Sequence, residues 1–396
     1  MKLTDELYQW IEEHRNDDPS KLRLRLHKQL TPELDFALLQ IECRRKAAKK
    51  LPETLSNPRF VFPTSLSAEQ CTSDLLAQFH STLVDDGMRL IDLTSGLGID
   101  VFHFAPQAHS VTAVELNPVV ADALSVNAQI LGLDNVSVVN DDCVDYVANS
   151  DVHYDVAFID PARRGANGRR LFALSDCEPD VTAMLPSLRK TCRKLIVKAS
   201  PMLDVTQTLR ELPETTHLYV IGTQQECKEI VAVVDFETRV VEPQIIAVTL
   251  AKDAVSTFSF THDSEANAVA RYAVATEGQY LYEPYPSAMK AAPLKSLSQL
   301  YGVDKLHVNT HLYVSNEIVA DFPGEIFKIE RLISFSSKEI KQFKNRYKQI
   351  NVAARNFIMS ADELRRKLNV KDGGNSRVIG CTMSDDSRVL LVVNRV

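Results

Sequence analysis

A glycine-containing turn near residue 96 has the residue types needed to bind a nucleoside with a cationic group. The run is Leu90-Ile-Asp92-Leu-Thr94-Ser-Gly96-Leu97-Gly98-Ile-Asp100, which predicts an apolar strand, a turn and a helix start. Gly96 and Gly98 allow close approach of a ligand to the backbone, and a helix N-terminus has free N–H groups. Asp100 stands at that helix start, where a carboxylate would repel phosphate and favour an ammonium group.

Carboxylates also follow the next three predicted strands. Glu115 ends the second strand, Asp141 and Asp142 end the third, and Asp160 follows the fourth. Because ligands of doubly wound sheets bind at the carboxyl ends of the strands, we expect these side chains to converge. Glu115 can accept both ribose hydroxyls and Asp142 the adenine amino group. Together with Asp100, they predict a site for S-adenosylmethionine.

The segment Asp160-Pro161-Ala162-Arg163-Arg164 is the candidate acceptor site. A carboxylate on a proline-stiffened turn can hold an exocyclic amine with its lone pair toward the methyl group. Arg163 and Arg164 would hold a base or a phosphate. Further arginines follow in a glycine-hinged loop, which could grip phosphate or pair with the acidic body of the protein. Lys198-Ala-Ser200-Pro201 follows the fifth strand and has no thiol, which disfavours covalent pyrimidine-C5 methylation.

These motifs resemble those of class I S-adenosylmethionine-dependent methyltransferases. They are Asp92-x-Thr94-x-Gly96-x-Gly98-x-Asp100, Glu115-Leu116-Asn117-Pro118 and Asp160-Pro161. Within the class, residues 90–143 are similar to RNA guanine-N2 (cap-type) methyltransferases and to bacterial methyltransferases with a C-terminal THUMP-like domain, an RNA-associated module. The chain departs from the amino-methyltransferase motif, because Ala162 replaces its second proline and Arg163 its aromatic residue.

The resemblance implies a set of cofactor contacts. Asp92, Gly96, Gly98 and Asp100 would line the methionine end, Glu115 the ribose, and Asp142 with Cys143 the adenine. Five neighbouring residues complete the candidate cofactor-binding set, and they are Thr94, Leu97, Leu116, Asn117 and Asp141. It also implies a Rossmann-like fold for the part of the chain that carries them.

The order of predicted elements agrees with an α/β fold that can position this site. Short β-rich runs alternate with helical stretches from residue 89 to 235, which predicts a doubly wound, seven-stranded, mostly parallel sheet with an antiparallel last pair. Thr31-Pro32 predicts one helix start in the N-terminal region, and Ser67-Ala-Glu69-Gln70 predicts a capping box that opens a helix through Leu75, Leu76, Phe79 and Leu83.

We expect four regions along the chain. They are a helical N-terminal region (1–83), the methyltransferase core (84–262), a linker with a small ferredoxin-like α+β domain (263–325) and a THUMP-like C-terminal domain (326–396).

Composition limits the alternatives. The chain has 396 residues, a net charge of −7 and seven scattered cysteines, which is typical of a globular, reduced protein. We expect a cytoplasmic protein without a membrane span or a metal site. Basic residues concentrate in 21–50 and 327–377. These segments could contact RNA, or they could be solvated helix faces.

The sequence therefore predicts an enzyme, an S-adenosylmethionine-dependent methyltransferase that transfers the methyl group directly to an RNA base nitrogen, with guanine favoured. Three alternatives stay open. They are methylation of a protein or small molecule, an RNA-binding protein that keeps the cofactor without catalysis, and a dinucleotide dehydrogenase. The oligomeric state has no sequence signal.

Overall fold

The computed structural model describes residues 4–163, 173–252 and 254–396. Two compact units make up the chain, one of residues 1–216 with 231–240 and the other of residues 217–230 with 241–396. Among the described helices, none combines the length and apolarity that a membrane crossing requires.

Five α-helices lie in the part of the N-terminal region that the structure describes, from residue 4 onward. They are α1 (Asp5–Glu13), α2 (Pro19–Arg25), α3 (Pro32–Ala47), α4 (Ser65–Gln70) and α5 (Asp74–Ser81). The predicted start at Thr31 is confirmed, because its side chain accepts the Leu34 N–H and Pro32 is the first residue of α3. The predicted single helix from Ser67 through Leu83 is wrong, because α4 ends at Gln70, Cys71 leaves the helix, and Ser73 caps a separate α5 that ends at Ser81.

The first sheet contains the strands that the sequence predicts. They are β1 (Arg89–Asp92), β2 (Ser110–Val114), β3 (Val136–Val139), β4 (Tyr154–Ile159), β7 (Cys192–Ala199), β8 (Thr215–Thr223) and β9 (Cys227–Asp235). The short strands β5 (Ala162–Arg163) and β6 (Cys177–Glu178) form an antiparallel pair of their own. The connecting helices are α6 (Ile99–Phe104), α7 (Pro118–Ile130), α8 (Cys143–Asn149), α9 (Val181–Thr191) and α10 (Val205–Glu211).

The predicted number of seven strands is too low for this sheet. Strands β10 (Gln244–Ala251) and β11 (Ala254–Phe260) extend it to nine described strands in the order β11-β10-β8-β9-β7-β4-β1-β2-β3. β1 pairs in parallel with β2 and β4, and β4 with β7. The antiparallel pair β8/β9 is confirmed, because the Asp235 N–H donates to the Glu214 carbonyl and the Thr223 N–H to the Glu226 carbonyl.

The rest of the chain forms an α+β region around a second sheet. Its strands are β12 (Tyr280–Pro284), β13 (Asp304–His307), β14 (Thr310–Ser315), β15 (Gly324–Ser334), β16 (Asn351–Arg355), β17 (Ser376–Thr382) and β18 (Arg388–Arg395), in the order β13-β14-β12-β15-β18-β17-β16. Its helices are α11 (His262–Asn267), α12 (Pro286–Ala291), α13 (Leu294–Tyr301), α14 (Ser337–Arg346) and α15 (Ala361–Leu368). Apolar residues of α14 and α15 pack with those of β17 and β18.

Candidate cofactor and acceptor site

The turn between β1 and α6 requires its glycines. Gly96 and Gly98 have φ angles of 54° and 88°, in the left-handed region that other residues avoid. A Cβ atom on Gly98 would lie 2.8 Å from Phe102 and 3.0 Å from Leu124. The glycine that begins α6 is therefore needed both for the backbone conformation and for close packing against α7. Leu97 is buried within this turn.

Two buried carboxylates lie beside the turn. Asp92 is 1% exposed, and its Oδ1 accepts the Thr94 N–H at 3.0 Å. Burial, with the nearby charges of Asp100 and Asp160, holds the pKa of Asp92 well above its usual value. Burial alone would also raise the pKa of Asp100, but His80, Lys198 and Thr72 outweigh it and lower that pKa to about 2. One acid of the pair is therefore ionised much more readily than the other.

Glu115 follows β2 and is tied to the turn. Its Oε2 accepts the Gly96 N–H at 2.8 Å, and its Oε1 accepts the Asn117 N–H at 2.7 Å. Asn117 in turn caps α7. The Asn140 amide, which the sequence analysis missed, donates to the carbonyls of Glu115 and Leu116 at 2.8 and 2.9 Å. Each carboxylate oxygen has a further lone pair, so Glu115 can still accept ribose hydroxyls.

Asp142 follows β3 and caps α8, where its side chain accepts the Val144 N–H at 2.7 Å. Asp141 accepts the Asp142 N–H and is exposed. Cys143 is buried, and its burial, with smaller effects from Asp142 and Asp92, raises the pKa of its thiol to about 11. Val144 is exposed.

Asp160 lies at the carboxyl end of β4, next to the glycine turn. Its N–H donates to Thr94 Oγ1 at 2.7 Å, and its carboxylate pairs with the Lys198 ammonium. Ile159 and Val197 are register partners on β4 and β7, so the two charged residues that follow them lie at the same sheet edge. The Asp160 side chain is 40% exposed and that of Lys198 is 12% exposed, so the carboxylate is the accessible member of the pair.

The structure describes only the first part of the segment that contains the predicted acceptor-site arginines. Pro161 is buried. The backbone of Arg163 pairs with Cys177 in the β5/β6 ladder. The side chain of Arg163 and all of Arg164 lie outside the described residues. Their contacts with base or phosphate stay predictions.

The structure thus brings Asp92, Thr94, Asp100 and Asp160 into one network, and Glu115 joins it through Gly96. Sequence reasoning missed Lys198, Thr72 and His80. Lys198 could have been found, because it ends a predicted strand next to the one that precedes Asp160. Thr72 and His80 had no comparable signal, since they reach Asp100 from earlier in the chain, His80 from α5 and Thr72 from the break between α4 and α5.

The chemistry of this donor set fits S-adenosylmethionine. The described ends of β1 to β4 offer carboxylates, which suit hydroxyls, an amino group and a cation. A dinucleotide would bring its pyrophosphate toward the buried, ionised Asp100 carboxylate, where like charges repel. Asp92, Asp100, Glu115 and Asp142 would hold the group, and when bound it supplies a methyl group activated by attachment to a sulfonium centre.

Comparison with known proteins agrees with this fold and site. Over its C-terminal part the chain matches the family models of a ferredoxin-like domain (residues 280–323) and a THUMP domain-like module (residues 324–395). The chain belongs to the class I S-adenosylmethionine-dependent methyltransferases that carry a C-terminal THUMP-like domain, because a solved structure assigned as a methyltransferase is 30% identical over the whole of both chains. The cofactor of this class is S-adenosylmethionine.

Individual relatives define the likeness further. A crystal structure of a Porphyromonas gingivalis W83 protein assigned as a methyltransferase is 30% identical, with a TM-score of 0.89 and coverage of 100% of both chains. An uncharacterized RNA methyltransferase of Mycoplasma mobile is 31% identical over 24% of this chain and 26% of its own length. An uncharacterized S-adenosylmethionine-dependent methyltransferase of Mycobacterium tuberculosis is 29% identical over 42% of this chain and 45% of its own. The chain thus spans less than half the length of these two curated relatives.

The raised pKa of Asp92 predicts that cofactor binding releases protons. In the free protein Asp92 is protonated below its raised pKa, and a bound cation would favour the ionised form and lower that pKa. Affinity for S-adenosylmethionine should therefore increase with pH up to the pKa of Asp92 in the free protein. The pKa of Asp92 also depends on three neighbouring charges, those of Asp100, Asp160 and Lys198. The number of protons released on cofactor binding therefore reports on the whole cluster.

Calorimetry in buffers of different ionisation enthalpy measures this proton release directly. The Asp92→Asn variant should bind without it. Equal apparent enthalpies in all buffers for the wild-type protein would contradict the proposed placement of the cation.

Proposed function

We propose that this chain methylates RNA by direct transfer to a base nitrogen, with guanine favoured. The proposal depends on the position of Asp160 beside the glycine turn. The Asp160 N–H donates to the Thr94 hydroxyl, and the Asp160 carboxylate pairs with the Lys198 ammonium. An accessible carboxylate fixed in this way can accept an N–H of an exocyclic amine and align its lone pair, and alignment is most of what methyl transfer needs.

RNA as the substrate is supported by the match to a THUMP domain-like module and by the likeness to a Mycoplasma protein named as an RNA methyltransferase. We propose the domain division 1–83, 84–262, 263–325 and 326–396 for this enzyme, and the family matches over 280–323 and 324–395 support its last two parts.

The two basic segments differ in what their side chains contact. In 21–50, several cations are engaged within the protein: Arg23 with Asp35, Arg44 with the carbonyls of Pro58 and Phe60, Arg45 with that of Asp17, Lys46 with Glu42 and Glu69, and Lys50 with the Glu69 carbonyl. Ile340 and Phe343 of α14 are buried, whereas Lys338, Lys341 and Arg346 of the same helix are exposed. We therefore propose that RNA contacts α14 rather than the N-terminal segment.

This proposal predicts a salt-dependent interaction with RNA. Binding of unmodified RNA should weaken steeply as salt rises, because Lys and Arg displace counterions from the phosphates. Replacing Lys338 and Lys341 by glutamate should lower the slope of log affinity against log salt by about two. Filter binding across a salt series measures both quantities.

The exposed Lys49 in the other basic segment provides the matched control, and Lys49→Glu should leave the slope unchanged. Transfer of labelled methyl to RNA and to a protein pool is measured in the same preparations. Weak RNA binding with a flat salt dependence, or label found in the protein pool alone, would overturn RNA as the substrate.

A further inference from the structure

Asp100, at the start of α6, is held by two donors from the N-terminal helical region. The His80 Nδ1–H donates to Asp100 Oδ1 at 2.7 Å, and the Thr72 hydroxyl donates to Oδ2 at 2.5 Å. Each oxygen of the Asp100 carboxylate thus accepts a hydrogen bond from a residue outside the glycine turn. The helices before residue 83 are therefore in direct contact with a residue of the cofactor site.

This contact is buried. His80 is fully buried, Asp100 is 8% exposed, and the imidazole centroid lies 5.6 Å from that of Phe158 on β4. An ionised carboxylate in such a place is costly unless donors compensate it. The break between α4 and α5 provides one of these donors, because Cys71 leaves the helix and Ser73 begins the next one, which leaves Thr72 between them.

The N-terminal region is also attached firmly to the fold around the turn. The Gln40 amide donates to the Phe62 carbonyl at 2.9 Å and accepts the Phe62 N–H at 2.8 Å. The Asn127 amide on α7 makes the same two-way contact with Val61, at 2.9 and 2.8 Å. These buried pairs fix the linker between α3 and α4, and with it the position of Thr72 and His80.

We propose that the N-terminal helical region is part of the cofactor site, in which Thr72 and His80 are positioning residues that keep Asp100 charged and oriented for the ammonium group at the methionine end. Both donors hydrogen-bond to the Asp100 carboxylate, so they stabilise its charged form and fix its orientation. The inference rests on the proposed placement of the methionine end at Asp100.

Two ligands separate this role from a merely structural one. S-adenosylhomocysteine carries the ammonium group, whereas 5′-methylthioadenosine carries only the adenosine half with its thioether. In Thr72→Val, calorimetry should show an affinity for S-adenosylhomocysteine about tenfold lower, which corresponds to one lost hydrogen bond to a charged group. The affinity for 5′-methylthioadenosine should stay at the wild-type value, and that result also reports that the site is folded.

Further variants complete the test. His80→Phe should give the same selective loss, and His80→Asn, which keeps an N–H donor, should restore part of it. Thr82→Val is the matched control. Thr82 is exposed at the end of α5, and among the described contacts its hydroxyl donates only to the Phe79 carbonyl. Equal weakening of both ligands in Thr72→Val and His80→Phe, or no weakening, would overturn the inference. If Asp100→Asn also fails to distinguish the two ligands, the placement of the methionine end is wrong instead.

Discussion

The turnover number of an Asp160→Ala variant should fall about a thousandfold, the scale of losing a preorganised polar contact to the reacting group. Asp160 is the accessible carboxylate at the end of β4, and its backbone N–H is held by Thr94 Oγ1. Without the carboxylate, the acceptor amine would have no partner to align its lone pair. Cofactor affinity should change little, because the adenosine contacts proposed for Glu115 and Asp142 stay in place.

Single-turnover transfer of labelled methyl to RNA, with calorimetry of S-adenosylhomocysteine, measures the two effects separately. Asp155→Ala is the matched control, because Asp155 lies at the other end of β4 and accepts the Arg89 N–H. Wild-type transfer by Asp160→Ala would show that the acceptor binds elsewhere. A parallel loss of cofactor affinity would make Asp160 a cofactor residue.

Lys198→Met should reduce turnover about a hundredfold, the cost of a small misplacement of a reacting group. The Lys198 ammonium pairs with Asp160, and its charge also lowers the pKa of Asp92 and of Asp100. Removing it leaves three neighbouring carboxylates without that cation and releases the orientation of Asp160. Lys198 is a positioning residue in this account, so the decrease should lie in turnover rather than in the Michaelis constant for RNA.

Lys194 offers a close comparison on the same strand. It lies near the opposite end of β7, where it pairs with Asp85 at 3.6 Å. Lys194→Met should keep wild-type turnover, and Lys198→Arg should recover part of what Lys198→Met loses. Equal effects of Lys194→Met and Lys198→Met would show that both act only through the stability of β7.

Local patterns were sufficient to predict the strands and the turn that carry the candidate site. The strand at Leu90, the glycines of the turn and the carboxylate at Glu115 belong to short stretches in which composition and period determine the structure. The parallel arrangement then places successive strand ends at one edge, so their convergence follows from topology rather than from any single residue.

Contacts between distant segments could not be predicted in this way. The Ser67 capping-box pattern matched a helix start, but Thr64 caps α4 and Ser73 caps α5, so the break that exposes Thr72 was missed. His80 is an unremarkable helical residue in the sequence, and only tertiary packing brings it to Asp100. The excess of basic residues in 21–50 left an RNA contact and a solvated helix face both open, since sequence does not reveal that Arg44 and Lys46 have internal partners.

The identity of the modified nucleoside tests the central claim most directly. Purified protein is incubated with isotopically labelled methyl donor and unmodified RNA, and the RNA is then digested and its nucleosides are separated by mass. We predict a labelled nucleoside methylated on a base nitrogen, guanosine first among the four, and no such product with Asp160→Ala. Label on the ribose or on a base carbon, or label that never enters RNA, would contradict the account.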